Sequence, residues 1–109
     1  MAKLSTELKT DIELLKKALG VIPVEEAYDP DNFGNAMLTM IGADIAVRLV
    51  RDRGSVFLDV AGSDGEWIDG NKIVETAKLH PHAGQSLPIP KLIALVCSNV
   101  DQIRKFLLK

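Results

Sequence analysis

The sequence predicts an α+β fold: an N-terminal helix, a three-stranded (or four-stranded) antiparallel β-meander, and two to three C-terminal helices packed on one sheet face. Three observations predict it. Apolar residues near the N-terminus recur at spacings of three and four. The middle third alternates with a period of two. The C-terminal third returns to helical spacing. A length of 109 residues suits one α+β domain spanning 1–109, large enough to bury a core of useful size.

In the first helix, Leu4, Leu8, Ile12, Leu15 and Leu19 share a face. Ser5 or Thr6 is placed to cap its start, Lys16 and Lys17 suit the dipole of its last turn, and Gly20 is a natural stop. The stretch from Val21 to Asn35 reads as a connection, with at most one short strand or helical turn near Val24 to Tyr28. Asp29-Pro30-Asp31-Asn32 is a turn signal within it.

The meander follows. Ala36 to Ile41 is a short apolar run, ended by the turn Gly42-Ala43-Asp44. Ile45, Val47 and Leu49 then alternate with Arg48. After the turn Asp52-Arg53-Gly54, Val56, Leu58 and Val60 alternate with Ser55, Phe57 and Asp59. Such a sheet buries one face and leaves the other partly wet. Asp69 can cap a short helix running from Gly70 or Asn71 to about Leu79, ended by His80-Pro81-His82. Residues 83–89 read as a loop. Pro90 is well placed to open the last helical segment, which carries Leu92, Leu95, Val96, Val100, Ile103 and Leu107. Asn99 and Gln102, at capping-box spacing, predict a break near Ser98-Asn99.

Hydrophobic residues at 47% and charged residues at 26% fit a globular chain rather than a disordered one. The single cysteine, Cys97, rules out an internal disulfide framework. The first residues lack the apolar core of a signal peptide and no apolar run has membrane-spanning length, so the expected location is cytoplasmic, with no membrane partner. A net charge of −2 and few aromatic residues argue against nucleic acid as a partner.

The expectation is a protein without catalytic residues, metal or cofactor. His80 and His82 lack a third nitrogen or sulfur ligand, and Cys97 sits in the apolar run Leu92-Ile93-Ala94-Leu95-Val96-Cys97, where burial makes a thiol inert. No Gly-x-Ser-x-Gly elbow is present. Gly62-Ser63-Asp64-Gly65-Glu66 lacks the lysine of a phosphate loop, and Asp64, Glu66 and Asp69 do not follow calcium-loop spacing. Arg48, Arg51 and Arg53 form the one notable basic group. Pairing within the sheet, with Asp44, Asp52 and Asp59, is favoured over ligand binding.

Two acidic segments each carry one aromatic residue: Glu25, Glu26, Tyr28, Asp29 and Asp31 in the connection, and Asp64, Glu66, Trp67 and Asp69 in the later turn. Aromatic anchors within a charged rim are characteristic of protein interfaces, so these are the candidate partner-binding residues. The competing reading makes Trp67 a plug at the core edge and the carboxylates aids to solubility.

Phe33-Gly34-Asn35-Ala36, then Arg48-Leu49-Val50-Arg51-Asp52-Arg53-Gly54 with Val56-Phe57-Leu58-Asp59-Val60, then Trp67 after a glycine-rich turn, resembles small bacterial immunity-type proteins from toxin–immunity loci. The likeness spans roughly residues 33–75 and is one of hairpins and turns. It implies an immunity protein that binds and occludes a cognate toxin domain without catalysis. Alternatives are a structural or regulatory homodimer built on an exposed strand edge, and a small-ligand protein or enzyme using Arg48, Arg51 and Asp59 on the open sheet face.

Overall fold

A computed structural model describes residues 3–79 and 87–108. The helical face of the N-terminal segment forms as expected, but in two pieces, α1 (Leu4–Glu7) and α2 (Lys9–Leu19), separated at Leu8, which leaves the helical region with φ −110° and ψ 31°. Gly20 ends α2 in the left-handed conformation at φ 69°, where its N–H reaches the carbonyl of Lys16. Neither Ser5 nor Thr6 caps the start. The Ser5 N–H and hydroxyl instead donate to the Glu26 carboxylate at 3.0 and 2.8 Å.

The sheet has five strands rather than three or four: β1 (Ile22–Asp29), β2 (Asn35–Ile41), β3 (Ala46–Asp52), β4 (Ser55–Ala61) and β5 (Ile68–Asp69), antiparallel in the order β1-β2-β3-β4-β5. β1 occupies most of the stretch expected to be a connection. Its residues lack the alternation that marks a strand because it is an edge, exposed along nearly its whole length, so no buried face imposes a period of two. A register shift between Pro23 and Glu25 further breaks the pattern. β5, only two residues long, is too short to announce itself by periodicity.

The inner face of the sheet carries Leu38, Met40, Val47, Leu49, Leu58 and Val60, all at most 1% exposed, and the helices cover it. α1 packs on β2. α3 (Gly70–Thr76) and α4 (Ile89–Ser98) pack on β4, and α2 packs on α4. α5 (Val100–Leu107) adds Ile103 to the core. The capping role of Asp69 is present, since its carboxylate accepts from Asn71 N–H at 2.8 Å. The break at Asn99 is also present, but without a capping box: the Asn99 side chain donates backwards to the Leu95 carbonyl at 2.8 Å. His80-Pro81-His82 and most of the 83–89 loop lie outside the described residues.

Candidate functional site

The side of the sheet opposite the helices is open, and cross-strand register arranges its residues in rows. The central row is polar: Glu25, Thr39, Arg48, Asp59 and Asp69 are successive partners from β1 to β5. On one side runs an apolar row of Ala27, Met37, Val50 and Phe57. On the other runs Ile22, Ile41, Ala46 and Ala61. Phe57, Ile41 and Ile22 are 47%, 48% and 60% exposed.

At the centre Arg48 donates to Asp59 at 3.0 Å, and its guanidinium lies 4.5 Å from the centre of the Trp67 ring. The expected pairing of Arg48 with Asp59 therefore holds. The Nε–H of Arg48 is buried with no acceptor among the described residues, an unmet donor of a kind uncommon in native interiors. Trp67, half-buried, stacks on the Arg48 guanidinium of the Arg48–Asp59 pair on the open face.

Arg51 departs from the expectation. Lying three residues from Arg48, it points to the opposite, helix-covered face, so the two cannot form one patch with Asp59. It is 2% exposed. Its Nε–H donates to the Gly34 carbonyl at 2.8 Å, its terminal nitrogen pairs with Glu7, and the Tyr28 ring lies 5.9 Å away. Asp44 pairs instead with Arg104 at 3.0 Å.

The candidate partner-binding residues separate into two places. Glu25, Glu26, Tyr28, Asp29 and Asp31 lie on or just beyond β1. Asp64, Glu66, Trp67 and Asp69 lie at β5 and the turn before it, across three intervening strands. At about 4.8 Å per strand the two groups are roughly 19 Å apart. Several are already engaged: Glu26 with Ser5, Tyr28 against Arg51, Asp64 with the Glu66 N–H, Trp67 with Arg48 and Asp69 with Asn71. The carboxylates of Glu25, Asp29, Asp31 and Glu66 have no hydrogen bond or ion pair among the described residues.

No family model, no curated protein and no solved structure matches this chain. Among the described residues no three of His, Cys, Asp and Glu converge as metal ligands, and no helix is long and apolar enough to cross a membrane.

Burial pushes the thiol of Cys97 up to about 11 from an ordinary 9.0, and the charge of Asp11 adds to the effect. The thiol thus stays protonated below that range. Its contribution to stability is complete below pH 9.0 and is lost as pH rises through about 11. At pH 8 the folded protein should react with iodoacetamide at least ~10-fold more slowly than the urea-unfolded chain, because the thiolate fraction falls with the raised pKa. Equal rates would show a thiol that is not shielded.

The sequence did not show the apolar rows, nor a cavity lined by Tyr28, Pro30, Phe33, Gly34, Arg53 and Gly54 at the opposite end of the sheet from the Trp67 turn. The rows were hidden because which half of an alternation faces solvent depends on where the helices dock. The cavity did leave a signal: Arg53 and Phe33 are large residues placed beside glycine in tight turns, where Asn or Asp is usual.

Proposed function

We propose that this protein is a non-catalytic binding module that docks the open face of its sheet on another protein. The observation that carries this is the pairing of two partly exposed apolar rows with a central Trp67–Arg48–Asp59 cluster. Interface energy concentrates on residues such as tryptophan and arginine, and phenylalanine is enriched at interfaces. Free carboxylates at Glu25 and Glu66 flank the face and suit a basic rim on the partner. The likeness to immunity-type proteins supplies the partner class: a cognate toxin domain, neutralised by being covered.

The edges of the sheet are poorly suited to the homodimer alternative. β1 carries Pro23, a register shift and the charges of Glu25 and Glu26, all of which oppose strand addition, and β5 has only two residues. The small-ligand alternative loses one of its three residues, since Arg51 faces the helices.

The test is affinity capture from the source cell's lysate, comparing the wild type with Phe57→Arg/Ile41→Arg. Those side chains are about half exposed and can be changed without filling the core. The wild type should retain a stoichiometric partner whose expression alone arrests growth. The double variant should bind it at least ~100-fold more weakly, the loss of about 3 kcal/mol expected when hot-spot anchors are replaced. Retention of the partner by the double variant would remove the open face from the model. A captured partner without toxicity would leave a binding module but end the immunity reading.

A further inference from the structure

The loops β1–β2 and β3–β4 meet at one end of the sheet, where the Arg53 N–H donates to the Asn35 side chain at 2.8 Å. Between them lies a cavity of about 360 Å³ lined by Tyr28, Pro30, Phe33, Gly34, Arg53 and Gly54. This is within the size range of small-molecule sites, and its lining is mostly apolar.

Both large side chains at its mouth are held on unfavourable backbone. Phe33 has φ 58° and Arg53 has φ 51°; left-handed φ is uncommon for residues with bulky side chains. Arg53-Gly54 forms a two-residue hairpin loop in which both residues have positive φ, a geometry that Asn-Gly adopts with less strain. Phe33 is 66% exposed. Neither residue is thus justified by its turn or by burial, and strained residues of this kind cluster at ligand sites.

The guanidinium of Arg53 has no carboxylate partner among the described residues, unlike those of Arg48, Arg51 and Arg104. The Phe33 ring lies beside it, 6.0 Å from ring centre to guanidinium carbon. An open guanidinium beside an aromatic and proline lining matches a planar apolar group bearing one negative charge. A carboxylate meets a guanidinium through two parallel hydrogen bonds. Asp29, Asp31 and Asp52 are sequence neighbours of the lining residues and line no part of the cavity; their charge disfavours a dianion such as a phosphate monoester.

We propose that this cavity binds a small aromatic monocarboxylate, with the carboxylate on Arg53 and the ring against Phe33 and Tyr28. The proposal uses different residues from the open-face reading and stands or falls independently of it.

The test is titration of the full chain with 3-phenylpropionate, followed by amide chemical shifts. Neutral 3-phenylpropionamide and an Ala-Ala-Phe tripeptide with a free carboxylate serve as comparators. The expected result is shifts centred on Phe33, Gly34, Arg53 and Gly54, with a dissociation constant of about 1 mM for so small a ligand. The amide and the variant Arg53→Asn should each bind at least ~10-fold more weakly, since each removes the charged hydrogen bonds. The tripeptide should bind more weakly than the free acid, because its backbone must also enter the cavity.

Arg53→Asn should melt roughly 2–5 °C higher than the wild type, because it relieves the turn. Loss of binding in a stabilised variant cannot come from unfolding. Arg53→Lys, which keeps the charge without the fork, should retain part of the affinity. The proposal is overturned if the amide binds as well as the acid, if Arg53→Asn binds within about threefold of the wild type, or if the tripeptide binds more tightly than 3-phenylpropionate.

Discussion

Leu49→Ala should destabilise this protein by about 3–4 kcal/mol, with a fall in melting temperature of roughly 15 °C. Leu49 is fully buried on the central strand, paired with Leu38 on β2 and Leu58 on β4, both 1% exposed. These leucines form one row across the inner face, beneath the helices. Neighbours fixed by strand pairing cannot collapse into the space left by the deleted side chain, so the cost includes a cavity as well as lost transfer energy. Leu49→Met, nearly equal in volume, should cost less than about 1.5 kcal/mol. Urea denaturation of the three proteins checks this. Similar midpoints for Leu49→Ala and wild type would mean that the row does not hold the core together. Against a total stability of about 5–15 kcal/mol for a domain, the alanine variant is expected to be folded but marginal at 37 °C.

The second large effect belongs to Arg51. This guanidinium lies on the core side of the sheet, joins β3 to the β1–β2 loop through the Gly34 carbonyl, and reaches α1 through Glu7. Arg51→Ala removes a charge-assisted hydrogen bond, leaves the Gly34 carbonyl short of a donor and empties the space of a long side chain. The expected loss is about 3 kcal/mol. Arg51→Met keeps most of the buried stem and should lose about half as much.

Glu7→Gln should cost less, roughly 0.5–1 kcal/mol. The Glu7 side chain is 43% exposed, water already screens the pair, and the amide oxygen can still accept. Chemical denaturation gives the order Ala, then Met, then Gln. A Glu7→Gln loss equal to that of Arg51→Ala would instead place the ion pair, not the buried stem and the carbonyl contact, at the centre of the effect. Amide exchange should also show Arg51→Ala opening the loop of residues 30–34 before the rest of the sheet, because that loop loses its tie to β3.

Legibility followed burial. The first helix, its stop at Gly20, the strands β2, β3 and β4, the cap at Asp69 and the break at Asn99 were all readable. In each, a periodic apolar set, a helix-ending glycine or a local hydrogen-bonding side chain records the structure in neighbouring residues. β1 was not readable as a full strand, since an exposed edge has no dry face to write a pattern. The start of the first helix was misjudged for a related reason. Its Ser5 N–H is satisfied by Glu26, twenty-one residues away, and no local spacing encodes that contact.

The same division runs through the candidate sites. Residue types alone singled out Trp67 and the carboxylates as candidates for binding, and the alternation of β3 placed Arg48 on the wetter face. Sequence by itself thus determined the α+β class, the inner apolar set and the inventory of groups available for binding. Tertiary structure decided which of those groups meet. It put Arg48 under Trp67 and against Asp59, sent Arg51 inward to Glu7, and separated the acidic edge strand from the Trp67 turn by the width of the sheet. It also brought Phe33 and Arg53, from different hairpins, to the mouth of one cavity. The physical reason is that strand alternation and helix periodicity are local, set by backbone geometry over a few residues. Register between strands and the docking of helices are fixed instead by the burial of the whole core.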